Sequence, residues 1–159
     1  MKKIIKFNKL SELVSDLKKS GQRIVLTNGC FDIFHVGHLQ TLKLAKKEGD
    51  ILIVGVNSDS SVKKIKGASR PIICDDDRAE LIAALEVVDY VTIFTEETAA
   101  NLLENVRPDT YVKGGDYTLK GLPEWPVIRD YDISVKFIKL VEGRSTTDII
   151  KEIKEMEKC

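Results

Sequence analysis

Two histidines, His35 and His38, are the only ones in the 159-residue chain, and they stand three residues apart around Gly37. An imidazole can donate a hydrogen bond whether neutral or protonated, and donors aimed at phosphate oxygens stabilise the charge that grows there during group transfer. Either ring alone reads as a structural side chain; the pair, set in the turn TNGCFDIFHVGH from Thr27 to His38, points to anion chemistry. Gly29 and Gly37 carry no Cβ, so the backbone there can bend tightly and approach a ligand. Free amides near His38 and Leu39, at the head of a following helix, favour an anion at the same point. A zinc site competes poorly, because only Cys30 and Asp32 lie near as further ligands. Cys30, Cys74 and Cys159 form no CxxC pair, so they read as reduced thiols, and no protein-held metal is expected.

Four other groups of residues could serve such chemistry. Ser145, Thr146 and Thr147 precede a C-terminal helical pattern; they are suited to capping that helix, with Asp148 near its positive end, and capping is compatible with holding phosphate. Lys63, Lys64 and Lys66 form a basic stretch that reads either as a solvated helix face or as a mobile arm over a polyanion. Arg78 in DDRAE could pair with Asp75 three residues earlier. Asp32 is open to two readings: a turn-stabilising carboxylate, or a contact to the second substrate.

The elements that must position these residues follow a regular alternation. The runs RIVLTNG, DILIVGVNS, YVTIFT, TYVKGG and VKFIKLV are apolar and β-rich, and they alternate with the helical patterns HLQTLKLAKKEG, DDRAELIAALEVVD, EETAANLLENVRPD and TTDIIKEIKEMEK. Strand followed by helix without hairpin turns predicts an α/β fold, a doubly wound parallel sheet covered on both faces. In such a sheet, ligands bind beyond the carboxyl ends of the strands where the strand order reverses; the TNG segment ends the first strand on that side, and the KGG segment ends a later one there. Residues 1–22 are expected to be an N-terminal extension with one short amphipathic helix (Leu10, Leu13, Val14, Leu17), stopped by Gly21, and residues 23–159 the core of a single domain. From Leu119 to Asp132, Gly121, Pro123 and Pro126 break any period, leaving a loop with a short helix at most.

Composition excludes several classes. Apolar residues make up 43% and charged residues 31%, ordinary for a globular protein and unlike a disordered one. Lys plus Arg equals Asp plus Glu at 25 each, so no global field draws the chain to nucleic acid or to an anionic membrane. No apolar stretch approaches the roughly 20 residues of a membrane span, and no signal-peptide core follows the basic start; a cytoplasmic protein is expected.

The segment TNGCFDIFHVGH resembles the nucleotide-binding opening of the HxGH cytidylyl- and adenylyltransferases, and EGRSTTDII, from Glu142 to Ile150, is similar to the STT signature of the same superfamily. Within it, VGVNSD, IKGASRPI, DDRAE and VKGGDYT look most like heptose-1-phosphate adenylyltransferases, the transferase half of ADP-heptose synthases in the lipopolysaccharide-precursor pathway. Glycerol-3-phosphate cytidylyltransferases and FAD synthetase-like adenylyltransferases are the alternatives, and a nucleotide-binding sensor is the non-enzymatic one. The resemblance implies a Rossmann-like fold, a homodimer, and a nucleotidyltransferase that joins AMP from ATP to a sugar 1-phosphate, with a separate sugar kinase in the same pathway. It implies catalytic roles for His35, His38 and Lys66. It further implies nucleotide contacts from Asn28, Gly29, Cys30, Phe31, Gly37, Lys63, Arg78, Lys113, Gly115, Asp116, Arg144, Ser145, Thr146 and Thr147, with Asp32 on the acceptor side. Two successive glycines, Gly114 and Gly115, would let the backbone lie along adenine or ribose. Mg²⁺ is expected to arrive with ATP, bridging triphosphate oxygens with few protein ligands. The acceptor phosphate, already a nucleophile, would attack the α-phosphorus in line with no covalent intermediate.

Overall fold

The computed structural model describes residues 3–115, 117–139, 143 and 145–156. Among them, five strands form one all-parallel sheet in the order β3-β2-β1-β4-β5: β1 (Ile24–Gly29), β2 (Ile51–Asn57), β3 (Tyr90–Phe94), β4 (Thr110–Gly114) and β5 (Ser134–Ile138). The helices are α1 (Leu10–Lys19), α2 (Val36–Lys46), α3 (Asp59–Lys66), α4 (Asp75–Ala83), α5 (Ala100–Val106), α6 (Trp125–Asp130) and α7 (Thr146–Met156). The pleat sends alternate residues to opposite faces. Leu26 and Ile53 pack with Leu10 and Val14 of α1, Leu102, Leu103 and Val106 of α5, and Val127 and Ile128 of α6. Val25, Leu52, Val54 and Val56 pack on the other face with Leu42 and Ala45 of α2 and Ala79 and Ile82 of α4. Both faces of β1 and β2 are therefore dry, which is why these strands are unbroken apolar runs. Burying each such side chain is worth roughly 1.5–3 kcal/mol.

The chain winds outward from β1 through β2 to β3, then crosses back to place β4 and β5 on the other side of β1. The reversal lies between β1 and β4, which pair from Val25↔Thr110 to Thr27↔Val112 and are tied by a hydrogen bond from Thr27 Oγ1 to the Val112 carbonyl, 2.9 Å. α2 leaves β1 on one face and α5 enters β4 on the other, so Asn28 and Lys113 stand at the switch point of the sheet. The stretch from Leu119 resolves into a 3-10 turn (Leu119–Gly121) and α6.

The N-terminal residues are more than an extension. Ile5 donates its amide to the Val91 carbonyl at 2.8 Å, and Val91 donates to the Lys3 carbonyl at 2.9 Å, so this stretch runs parallel to β3 at the sheet edge, while Leu10 is fully buried. No described helix is long and apolar enough to cross a membrane.

Candidate active site

The loop after β1 is built around its aromatic and imidazole rings. Phe31 sits at φ 48°, a left-handed conformation that is uncommon for an aromatic residue. That turn folds its ring back beneath the loop, where it is buried and lies edge-on to His38 with centroids 5.2 Å apart. A Cβ on Gly29 would stand 3.1 Å from the Phe31 ring, so glycine there lets the ring close in. Phe34 covers the other side of His38 at 5.6 Å. His35 and His38 stack with centroids 3.8 Å apart and planes 24° from parallel.

His35 is also the N-cap of α2, its Nδ1 accepting the Gly37 amide at 3.1 Å. An imidazole nitrogen that accepts a hydrogen bond carries no proton, so neutral His35 holds its proton on Nε2 and offers an Nε2–H donor. Burial lowers the His35 pKa. Burial, and then the neighbouring His35, pull His38 down to about 4. Both rings are therefore neutral donors at neutral pH, and His38 Nδ1 is buried without a partner among the described residues. The free amides lie slightly earlier than the sequence suggested. Leu39 donates to the His35 carbonyl at 3.2 Å and Gly37 is taken by the His35 ring, which leaves the amides of Val36 and His38.

The head of α7 meets this loop from the far end of the chain. Ser145 caps the helix in a reciprocal pair, its Oγ accepting the Asp148 amide at 3.1 Å and donating to the Asp148 carboxylate at 2.7 Å. Thr146 Oγ1 donates to the Ile33 carbonyl at 3.4 Å. Two helix N-termini, that of α2 with its imidazoles and that of α7 with its hydroxyls, thus converge on one loop, and the partial positive charges of both heads favour an anion between them. Thr147 is exposed in the first turn of α7. Arg144 and Asp116 lie outside the described residues.

Other expected contacts are redirected. Arg78 is 1% exposed and reaches neither Asp75 nor open solvent. Its Nε donates to the Ile73 carbonyl at 2.9 Å, one terminal nitrogen to the Cys30 carbonyl and the other to Asp59 Oδ1 at 2.8 Å. It clasps the end of β1 to the heads of α3 and α4, so its role here is to shape the loop rather than to hold phosphate directly. Asp32, equally buried, accepts from the amides of Ile72 (2.7 Å) and Ile73 (3.0 Å) and from Arg70 Nε. Burial opposes its charge, but the bonds from Ile73, Arg70 and Ile72 outweigh it and hold its pKa below the ordinary value. Of the two readings of Asp32, the geometry gives the turn-stabilising one, since both oxygens are committed inside the protein. Gly115, at φ 124°, spends its amide on the Ile138 carbonyl at 3.0 Å, linking β4 to β5.

Lys63, Lys64 and Lys66 are exposed on α3. Lys64 faces Glu97 at 3.9 Å; burial pushes the Cys30 thiol up, and the positive charge of Lys66 opposes this most, followed by Arg78 and Arg70. Gly67, at φ 99°, ends the helix behind it. A cleft of about 1080 Å³ between the N-terminal stretch, α4 and Ile93 of β3 is lined by none of these loop residues.

Sequence reasoning missed Arg70, Tyr111 and Glu124. Tyr111 is fully buried and donates to Asn28 Oδ1 at 2.6 Å. Lys113 Nζ lies 3.1 Å from the Tyr111 hydroxyl, 3.5 Å from Asn28 Oδ1 and 3.7 Å from Glu124 Oε1. Tyr111 and Lys113 alternate with Val112 on β4, so the strand pattern put them on one face; Glu124 came from the unpatterned stretch and gave no signal.

A family model described as cytidylyltransferase-like matches residues 26–158. The chain belongs to the cytidylyltransferase-like family. The match spans both the imidazole loop and the α7 head. The chain is 51% identical over 96% of its length to a protein named Bifunctional protein HldE from Aliarcobacter butzleri, and 45% identical over 95% to the protein of the same name from Geobacter sulfurreducens. In each case it covers 31% of the relative, so it spans about a third of their length. A solved structure titled lipopolysaccharide core biosynthesis protein, from Thermoplasma volcanium, superposes with a TM-score of 0.62 at 31% identity, over 78% of this chain and all of that one.

Proposed function

We propose that the chain transfers AMP from ATP to D-glycero-D-manno-heptose 1-phosphate, giving ADP-heptose and pyrophosphate. The observation that carries this reading is the convergence of the α2 and α7 heads on the β1–α2 loop, within a chain closely similar to proteins named HldE. An oxygen of the acceptor phosphate attacks the α-phosphorus, and the bond to the bridging oxygen of the β-phosphate breaks as pyrophosphate leaves. A phosphate monoester needs no general base, so neutral imidazoles suffice as donors. His35 Nε2–H and His38, with the free amides of Val36 and His38, hold the α-phosphate as its charge rearranges; the head of α7 holds the β- and γ-phosphates, and Lys66, with Lys63 second, adds positive charge. Mg²⁺ would arrive with the nucleotide: among the described residues no cluster of acids, histidines and cysteines could hold the ion by itself and Asp32 is committed to Arg70 and two amides, so the ion would depend on the triphosphate and would neutralise part of its charge. The active protein is a cytoplasmic homodimer that takes its sugar 1-phosphate from a separate kinase.

Incubation with labelled ATP or CTP and a panel of sugar and polyol phosphates, followed by pyrophosphate release, tests this. ADP-heptose should dominate. A predominant CDP-linked product would move the chain to glycerol-3-phosphate cytidylyltransferase chemistry, and no release with any pair would sink the enzymatic reading.

A further inference from the structure

The carboxyl ends of β1 and β4 carry a polar cluster that the transfer chemistry above does not use. Asn28 ends β1 beside the imidazole loop and is half-buried. Its side-chain amide has an acceptor end and a donor end, and the protein decides which faces the ligand. An ammonium can only donate, so Lys113 at 3.5 Å selects the oxygen as the end facing β4. The Tyr111 hydroxyl donates to the same oxygen at 2.6 Å. Burial, and then the charge of Glu124, raise the Tyr111 pKa well above its usual value, so this hydroxyl keeps its proton and remains a donor. Glu124, 2% exposed, is held by the Ala99 amide at 3.0 Å on Oε1. Its Oε2 has no donor among the described residues, and Lys113 is its counter-charge at 3.7 Å.

We infer that Tyr111 is a positioning residue for nucleotide binding: with Lys113, which Glu124 anchors, it holds Asn28 by its oxygen and turns the Asn28 N–H₂ group toward the triphosphate on the imidazole loop. The inference rests on the proposed triphosphate site, but not on the identity of the acceptor. Asn28 is the group that touches the nucleotide; Tyr111 and Glu124 act through it. Without the Tyr111 hydroxyl only the longer contact from Lys113 holds the amide, so it turns more readily, and an oxygen presented to phosphate repels it.

Equilibrium binding of labelled ATP and CTP to the full chain without acceptor separates this inference from the catalytic reading, since it needs no turnover. Tyr111→Phe should raise both dissociation constants about three- to tenfold, the usual worth of one hydrogen bond. Asn28→Ala should do the same, and the double variant Tyr111→Phe/Asn28→Ala should bind no more weakly than Asn28→Ala. Glu124→Gln, which keeps an acceptor for the Ala99 amide, should weaken binding less, and that effect too should vanish in the Asn28→Ala background. It supplies the comparison if Tyr111→Phe does not fold, as judged by circular dichroism. Losses that multiply in the double variants, or Tyr111→Phe and Glu124→Gln binding within twofold of the parent, would overturn the inference. Normal nucleotide binding and normal coupling between these residues, without pyrophosphate release, would instead count against the proposed reaction alone.

Discussion

The stacked, half-buried imidazoles should make the protein lose stability between pH 6.5 and 4, before its carboxylates respond. His38 titrates at about 4 in the fold and near 6.5 when unfolded. A histidine whose folded pKa is depressed leaves more protons on the unfolded chain as pH falls, so stability declines through this window and levels off below the folded pKa. At pH 5 the two binding polynomials differ by a factor of roughly 30, equivalent to about 2 kcal/mol. Partial exposure of the ring reduces the effect to about 1–2 kcal/mol, or roughly 2–8 °C in Tm for a chain of this size. The paired carboxylates fall in a different window. Asp32 and Glu96 have lowered pKa values, so their contributions are fully present above their unfolded pKa values, near 4, and are lost only as pH falls further through the folded ones. Urea unfolding at pH 7, 6, 5 and 4.5 measures the slope, and His38→Gln, which does not titrate, should flatten most of it. A parent protein equally stable at pH 7 and 5 would refute the reasoning, as would a His38→Gln variant with an undiminished slope. The same neutrality predicts that kcat/KM stays flat from pH 8 to about 6; a rise on acidification would mean that an imidazolium is the working form.

His35→Ala and His38→Ala should each reduce turnover by about 2–4 kcal/mol of transition-state stabilisation; a folded variant of either kind with parental turnover removes that ring from the mechanism. Lys66→Ala should remain slow at saturating ATP, because charge that acts mainly in the transition state lowers kcat more than it weakens binding, whereas Lys64→Ala, whose ammonium faces Glu97, should behave as the parent. Arg78→Met should lower stability by about 2–4 kcal/mol in urea unfolding, since it strands the carbonyls of Cys30 and Ile73 and the Asp59 carboxylate; a normal midpoint with a raised KM for ATP would return Arg78 to the phosphates.

The fold was legible where burial imposes a pattern. β2 is dry on both faces, so ILIVGV could hardly be anything but a central strand, and the helical periods between strands followed from having one face to bury. Ser145 was legible as a cap because Asp148 stands three residues on, a purely local relation. Long-range partnerships were not legible. Arg78 looked like the partner of Asp75 because only near neighbours are visible in a sequence, yet its carboxylate partner is Asp59, nineteen residues away. Asp32 shows the same limit, since its partner Arg70 lies 38 residues on. The N-terminal stretch read only as an extension with a short helix, because three or four residues beside an edge strand carry too little pattern to announce pairing. Glu124 follows Pro123 in a segment with no period, and its importance arises only from what β4 and α5 bring beside it.

The bond between Thr146 and the Ile33 carbonyl joins residues 113 positions apart, and this separation bears on the order in which the molecule assembles. Closing a free loop carries an entropic penalty that grows with the logarithm of its length. Once β5 has paired with β4, the free tether shrinks to the eight positions from Ile138 to Thr146, which lowers the penalty by roughly 2 kcal/mol. Docking of the α7 head therefore belongs after completion of the sheet, as expected when non-local contacts form late. On the proposed reading, a chain with β1 and its imidazole loop folded but α7 undocked would offer a triphosphate only the α2 side of its site. On that reading a product truncated before α7, a helix that contributes no residue to either core cluster, would fold most of its core yet lack one side of the nucleotide site.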